Sequence, residues 1–111
     1  MGGTLKDNAA WKIVQAATEG GYAIPAICLY NLEGIIASVR AAEAKKSPVI
    51  LQLFPWAIEY ADGLILHAAA EAAKNAKVPV AVHVHHPLAS HNFKILLIKN
   101  TRWTTANPPQ W

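Results

Sequence analysis

The sequence predicts an α/β fold with a parallel sheet, and three observations carry that prediction. Apolar runs of strand length alternate with stretches whose apolar residues fall at helical spacing. Successive strand centres lie roughly 25–30 residues apart, the repeat length of a βα unit. The strands are apolar on both faces, as in a parallel sheet covered on its two sides. At 111 residues the chain fits one domain. Crossovers between parallel strands are right-handed, which leaves two architectures, an open doubly wound sheet or part of a (β/α)8 barrel. A full barrel takes roughly 250 residues, so three strands amount to three-eighths of one.

Each element has its own signals. Asp7 or Asn8 can cap a first helix by accepting backbone N–H groups. Ala10, Trp11, Ile13, Val14 and Ala17 supply its apolar spacing, and Gly20–Gly21 stops it, because glycine accepts the left-handed conformation past a helix end. Tyr22–Leu29 reads as the first strand, with Pro25 tolerated only near its start or at a bulge, since proline brings no N–H to the ladder. Asn31 is the cap of a second helix with Glu33 in its first turn, and Ile35, Ile36, Val39, Ala42 and Ala44 form its apolar face. Lys45 and Lys46 fall where cations complement the helix dipole, and Ser47–Pro48 ends the helix. Val49–Phe54 is the second strand, broken by Pro55. Trp56–Ala61 and Leu64–Ala76 read as a helix divided near Asp62–Gly63, and Pro79 precedes a third strand, Val80–Val84.

Composition narrows the function. The chain is 53% hydrophobic and 15% charged, against about 25% charge in ordinary soluble chains, so it is not a disordered chain. A membrane span needs about 20 consecutive apolar residues, and the sequence has no such run, so the expectation is no membrane partner. Met1–Trp11 carries Lys6 and Asp7 and no apolar signal region, and Cys28 is the single cysteine, which together suit a reducing cytoplasmic setting. The net charge of +3 is uneven. Residues 1–82 hold seven basic and all seven acidic residues, whereas His83–Trp111 has Lys94, Lys99, Arg102 and no acid. Three scattered cations are too sparse for a nucleic-acid groove, so no nucleic-acid partner is expected.

In both parallel architectures ligands meet the carboxyl ends of the strands. Here those ends are Cys28–Asn31, Gln52–Trp56 and His83–His86. No glycine-rich phosphate loop follows the first strand, where the residues are Leu29-Tyr30-Asn31-Leu32. The third end carries the most chemistry. His83 and His85 fall on one side of an extended strand, His86 follows at the turn, and His91 lies near. Neutral imidazole is a good zinc ligand, and a catalytic zinc takes three protein ligands with one position open; histidines clustered in a loop are more often merely solvated, and composition alone gives metal binding about one chance in three. Cys28 on an apolar strand reads as a buried, inert thiol. Trp56 and Tyr60 could stack on a ligand, although core packing is the commoner role. Glu59 has no identifiable acid–base partner, and capping already accounts for Asn31.

Several segments together resemble the class II (zinc-dependent) fructose-bisphosphate aldolases. They are Gly21-Tyr22-Ala23-Ile24-Pro25-Ala26, then Asn31-Leu32-Glu33, then Ala41 to Gln52, then Ala57 and Tyr60, and finally Val78-Pro79-Val80-Ala81-Val82-His83. Their order fits the first three βα units of that family's barrel, over roughly residues 8–86. The resemblance implies a partial TIM (β/α)8 barrel in residues 1–86, with three parallel strands, and an atypical C-terminal tail in residues 87–111. It implies a carbon–carbon lyase of carbohydrate metabolism with a zinc ion (Zn2+) as cofactor, acting on a small phosphorylated sugar or a ketone and aldehyde pair.

In the family the third strand ends in His-x-Asp-His, whose last histidine binds zinc and whose aspartate transfers the proton. By that resemblance His86 is the metal ligand and His83 the histidine at the metal site. His85 stands at the aspartate position, as the candidate catalytic residue. Asn31 and Gln52 are the candidate substrate-binding residues. The family commonly has Gln-x-Ser-x-Gly after the second strand, where this chain has Gln52-Leu53-Phe54-Pro55-Trp56, which implies an aldolase-like branch with a different substrate. Pro87–Trp111 matches no family motif, and the expectation is a foreign tail, as a truncated, misread or alternatively spliced gene gives. By itself such a chain is expected to be inactive. Open strand edges imply a homo-oligomer or dependence on a partner. The alternative is a non-catalytic, histidine-rich zinc-binding or interaction module.

Overall fold

The computed structural model describes residues 5–60 and 62–85. His86, His91 and the expected tail from residue 87 lie outside the described residues. A short 3-10 turn, Leu5–Asp7, leads into α1 (Ala9–Gly20). There follow β1 (Ala26–Leu29), α2 (Leu32–Ala44), β2 (Val49–Leu53), α3 (Pro55–Tyr60), α4 (Leu64–Asn75) and β3 (Val80–Val84). The three strands form one sheet in the order β1-β2-β3, and both pairings are parallel. This is the α/β arrangement expected, with helices carrying the chain from each strand end back to the next strand start.

The local signals act much as read. Asn8 caps α1, its side-chain oxygen accepting from the N–H of Ala10 at 2.9 Å and of Trp11 at 3.3 Å. Gly21 takes φ +70° at the other end. Asn31 caps α2 by accepting from Gly34 N–H at 2.8 Å. After α2, Lys46 turns the chain with φ +51°. Asp62 at φ +48° and Gly63 at φ +87° separate α3 from α4, closed by the Gly63 N–H donating to Ile58 C=O at 2.9 Å. The first strand is shorter than expected and begins at Ala26. Pro25 explains the loss: it has no N–H for the ladder, although its carbonyl still accepts from Ile50 N–H at 3.0 Å.

The main core lies between the sheet and α2, α3 and α4. Leu29, Val49, Leu51, Leu53, Val82 and Val84 pack there against Ile35, Ile58, Ile65, Leu66 and Ala69. Leu51, Leu53, Ile35 and Ile58 are fully enclosed, and each such side chain contributes about 1.5–3 kcal/mol by leaving water. The opposite face of the sheet is not left bare as three lone strands would leave it. Helix α1 crosses its lower half, where Ala10 and Ile13 pack against Ala81, with Ile24 and Ile50 alongside. Trp11 and Val14, expected on the apolar face of α1, are instead about half exposed, because the contact with the sheet runs through Ala10 and Ile13, with Ala9 alongside.

Candidate functional site

Strand register decides what meets at the carboxyl rim. Ala26, Ile50 and Ala81 are partners across the sheet, and so are Cys28, Gln52 and His83. Side chains alternate along a strand, so both rows point to the face that carries α1. The lower row is apolar, with Ala81 and Ile50 packed against α1 and Ala26 exposed at the sheet edge; the upper row is polar. Gln52 Nε2 approaches Cys28 Sγ at 3.5 Å. A depression of about 400 Å³ lies beside these rows, lined by Ala10, Trp11, Val14, Ala26, Ile50, Gln52 and His83.

One step further along each strand lies a third row. The ladder continues past β3, with His85 N–H donating to Leu53 C=O at 2.8 Å. The His85 ring stands edge-on to Phe54 at 5.0 Å between centroids, and 5.9 Å from the ring of His83. Phe54 lies parallel to Tyr30, 6.4 Å away with 2° between the planes. Trp56 stacks on Tyr30 at 5.1 Å and on Phe54 at 6.1 Å. The structure thus brings together His83, His85 and Gln52 of the sequence-derived candidates. The Asn31 side-chain oxygen is engaged in the α2 cap. His86 lies outside the described residues.

Two readings of side chains change. Cys28, expected to be buried and inert, is exposed, because β1 is an edge strand and α1 packs over β3 and Ile50 rather than over β1. Trp56 and Tyr60 do not fill a core: they are 59% and 92% exposed. The stacked aromatic group of Tyr30, Phe54 and Trp56 is the feature that reading the sequence missed. Its signal was available, since Tyr30 and Phe54 each stand one residue past the end of a strand.

The donor chemistry at the rim suits zinc in kind. Two imidazoles on one tetrahedral ion place their centroids roughly 5 Å apart, close to the 5.9 Å between His83 and His85. Among the described residues no group of three or more His, Cys, Asp or Glu side chains gathers as a metal set. A metal set at this rim would need ligands beyond His83 and His85. No described helix is long and apolar enough to cross a membrane.

The family model described as fructose-bisphosphate aldolase class-II matches residues 8–99. The chain belongs to the class II fructose-bisphosphate aldolase family. It is 52% identical over 83 residues to a Coccidioides immitis protein that bears the fructose-bisphosphate aldolase name, covering 75% of this chain and 28% of that one. It is 42% identical over 81 residues to a fructose-bisphosphate aldolase of Streptococcus pneumoniae, covering 69% of this chain and again 28% of the relative. A crystal structure from Coccidioides immitis, described as a fructose-1,6-biphosphate aldolase, superposes with a TM-score of 0.79. It is 45% identical, and the match covers 88% of this chain and 37% of that one. The chain therefore spans about a quarter to a third of the length of these relatives, and its three-stranded sheet is the opening of an aldolase barrel.

Proposed function

We propose that this chain supplies the first three βα units of a zinc-dependent carbon–carbon lyase, which cleaves or forms an aldol linkage in a small phosphorylated sugar or a ketone and aldehyde pair. The observation that carries the reading is the alignment of Gln52 with His83 across β2 and β3, with His85 one step above on the same face and its ring 5.9 Å from that of His83. In this reading His86 and His83 hold zinc. The ion, when bound, polarises the donor carbonyl as a Lewis acid.

His85 stands where a proton must be passed at the reacting carbon. Its imidazole can carry that proton near neutral pH. Phe54, edge-on to the ring at 5.0 Å, fixes its orientation and keeps water from one side. Gln52 borders the substrate with an amide that both donates and accepts. Asn31, whose side-chain oxygen caps α2, is the second residue proposed to meet the substrate. In this reading the barrel portion takes in residues 1–86, and the family match runs on to residue 99. The protein is cytoplasmic, and the chain is inactive by itself, because two or three histidines cannot assemble the whole site. Its open strand edges are paired with another copy or with a partner chain.

The test is zinc-dependent cleavage of fructose 1,6-bisphosphate and related ketose phosphates. It is run with the 111-residue chain and with the same chain joined in frame to the later barrel units of the Streptococcus pneumoniae relative. The expected result is no cleavage by the chain alone and chelator-sensitive cleavage of at least one ketose phosphate by the hybrid, lost in His86→Ala. Zinc uptake with no cleavage in either form contradicts the enzymatic reading and leaves a zinc-binding module.

A further inference from the structure

We infer that His83 and His85 together chelate one divalent ion of the zinc, nickel and copper kind, which makes His85 a metal ligand in its own right. This goes beyond the lyase reading, where zinc is given to His83 and His86 while His85 passes a proton. Three observations carry it.

The first is the alternation of β3. Val82 and Val84 are packed in the main core with Leu51, Leu53 and Ile58. Successive side chains of a strand leave on opposite faces, so these two anchored valines hold His83 and His85 together on the other face. His85 lies one residue past the end of β3. Its N–H still donates to Leu53 C=O at 2.8 Å, so the alternation continues through it.

The second is ring geometry. The His83 and His85 centroids are 5.9 Å apart and the ring planes cross at 66°. Two imidazoles on one tetrahedral ion, each nitrogen about 2.0–2.1 Å from it, place their centroids roughly 5 Å apart. The rings thus stand within about 1 Å of a shared ion. Because they are not stacked face to face, turning about side-chain bonds closes that gap with the strand left in place.

The third is the surroundings. Phe54 meets the His85 ring edge-on at 5.0 Å and gives it an apolar wall on one side. Gln52, the partner of His83 across the sheet, turns its Nε2 towards Cys28 Sγ at 3.5 Å. An amide carbonyl beside a ligating imidazole is the kind of outer partner that holds its second N–H. Imidazole nitrogen suits zinc, nickel and copper, whereas magnesium and calcium take oxygen. The pair is a two-ligand seat, and water fills the remaining positions. A ring bound to the ion cannot act as a base through the same nitrogen, so the chelate and the proton-passing role are alternative states of His85.

The experiment is isothermal titration calorimetry of the 111-residue chain with zinc chloride and with magnesium chloride, alongside NMR of the histidine ring protons. Zinc should bind and displace the ring signals of His83 and His85 in step, and magnesium should do neither. Losing an outer partner of a metal ligand already costs about tenfold or more in affinity, so His85→Ala and His83→Ala should each weaken zinc by at least that factor. Far-UV circular dichroism checks that both variants fold, and the ring signals of the unchanged chain decide the matter without them. Undiminished zinc affinity in His85→Ala overturns the inference. So does zinc that moves the His83 signals and leaves those of His85 in place, or a chain that takes up no zinc. His86→Ala reads the lyase reading separately. Full zinc affinity in that variant, with the His85→Ala loss intact, supports the pair and removes His86 from that reading. Neither measurement uses catalysis, so a chain without aldol cleavage still tests the pair.

Discussion

Two residues with positive φ, one a lysine and one a glycine, test how the backbone turns. Lys46 holds φ +51° after α2, a conformation that costs an L side chain about 1–2 kcal/mol. Lys46→Gly should raise the midpoint of urea unfolding, by about 0.5–1 kcal/mol after the added unfolded-state entropy of glycine is offset. Gly21 at φ +70° has no side chain to strain, and open space lies where a Cβ would go. Gly21→Ala should therefore lose about 1 kcal/mol through backbone conformation alone. The same denaturation curves check Asn31→Ala, which removes the α2 cap and should cost about 1 kcal/mol. His85 makes a prediction about activity instead. If it stands in the proton-transfer position, His85→Asp in the hybrid barrel should change the rate of aldol cleavage by tenfold or more without unfolding the protein. An unchanged pH–rate profile would remove it from the mechanism.

At the scale of elements, the least obvious contact is α1 on the inner face of the sheet. Ala10 and Ile13 meet Ala81 there, and Ile13→Asp puts an unpaired charge into that contact. It should cost about 2–4 kcal/mol and raise hydrogen exchange in α1 before it does in β2. Most element positions were legible because their signals are local. A capping asparagine, a glycine past a helix end and a proline before a strand act within a few residues. The partners of α1 were not legible, because helical spacing names an apolar stripe without saying which surface it meets. Trp11 and Val14 fit the spacing as well as Ile13 does, yet lie outside the contact. Cys28 was misread for a related reason: whether a strand residue is covered depends on its strand's place in the sheet. At the candidate site the histidines were found because residues at i and i+2 of one strand must share a face. The aromatic shelf joins Tyr30, Phe54 and Trp56 from two strand ends, and only register brings them together.

The described residues form a three-stranded opening of a barrel whose relatives are about two and a half times as long as this chain. Its core is one-sided, with the opposite face of the sheet covered by α1 only over Ala81 and Ile50. Ala26, Ile27 and Cys28 of β1 are exposed on the outer strand, and an exposed strand edge invites pairing with another chain. Light scattering coupled to size exclusion should find the 12 kDa chain in species larger than a monomer, dispersing when a Lys replaces Ile27. A sharp monomer peak with cooperative unfolding would contradict this. The most direct test of the central claim is two-dimensional NOE spectroscopy across the sheet. Parallel pairing predicts backbone contacts that link Cys28 to Gln52 and Gln52 to His83, increasing together along all three strands. Close Hα–Hα contacts of antiparallel strands, or the absence of any contact between Gln52 and His83, would contradict it and disperse the candidate site.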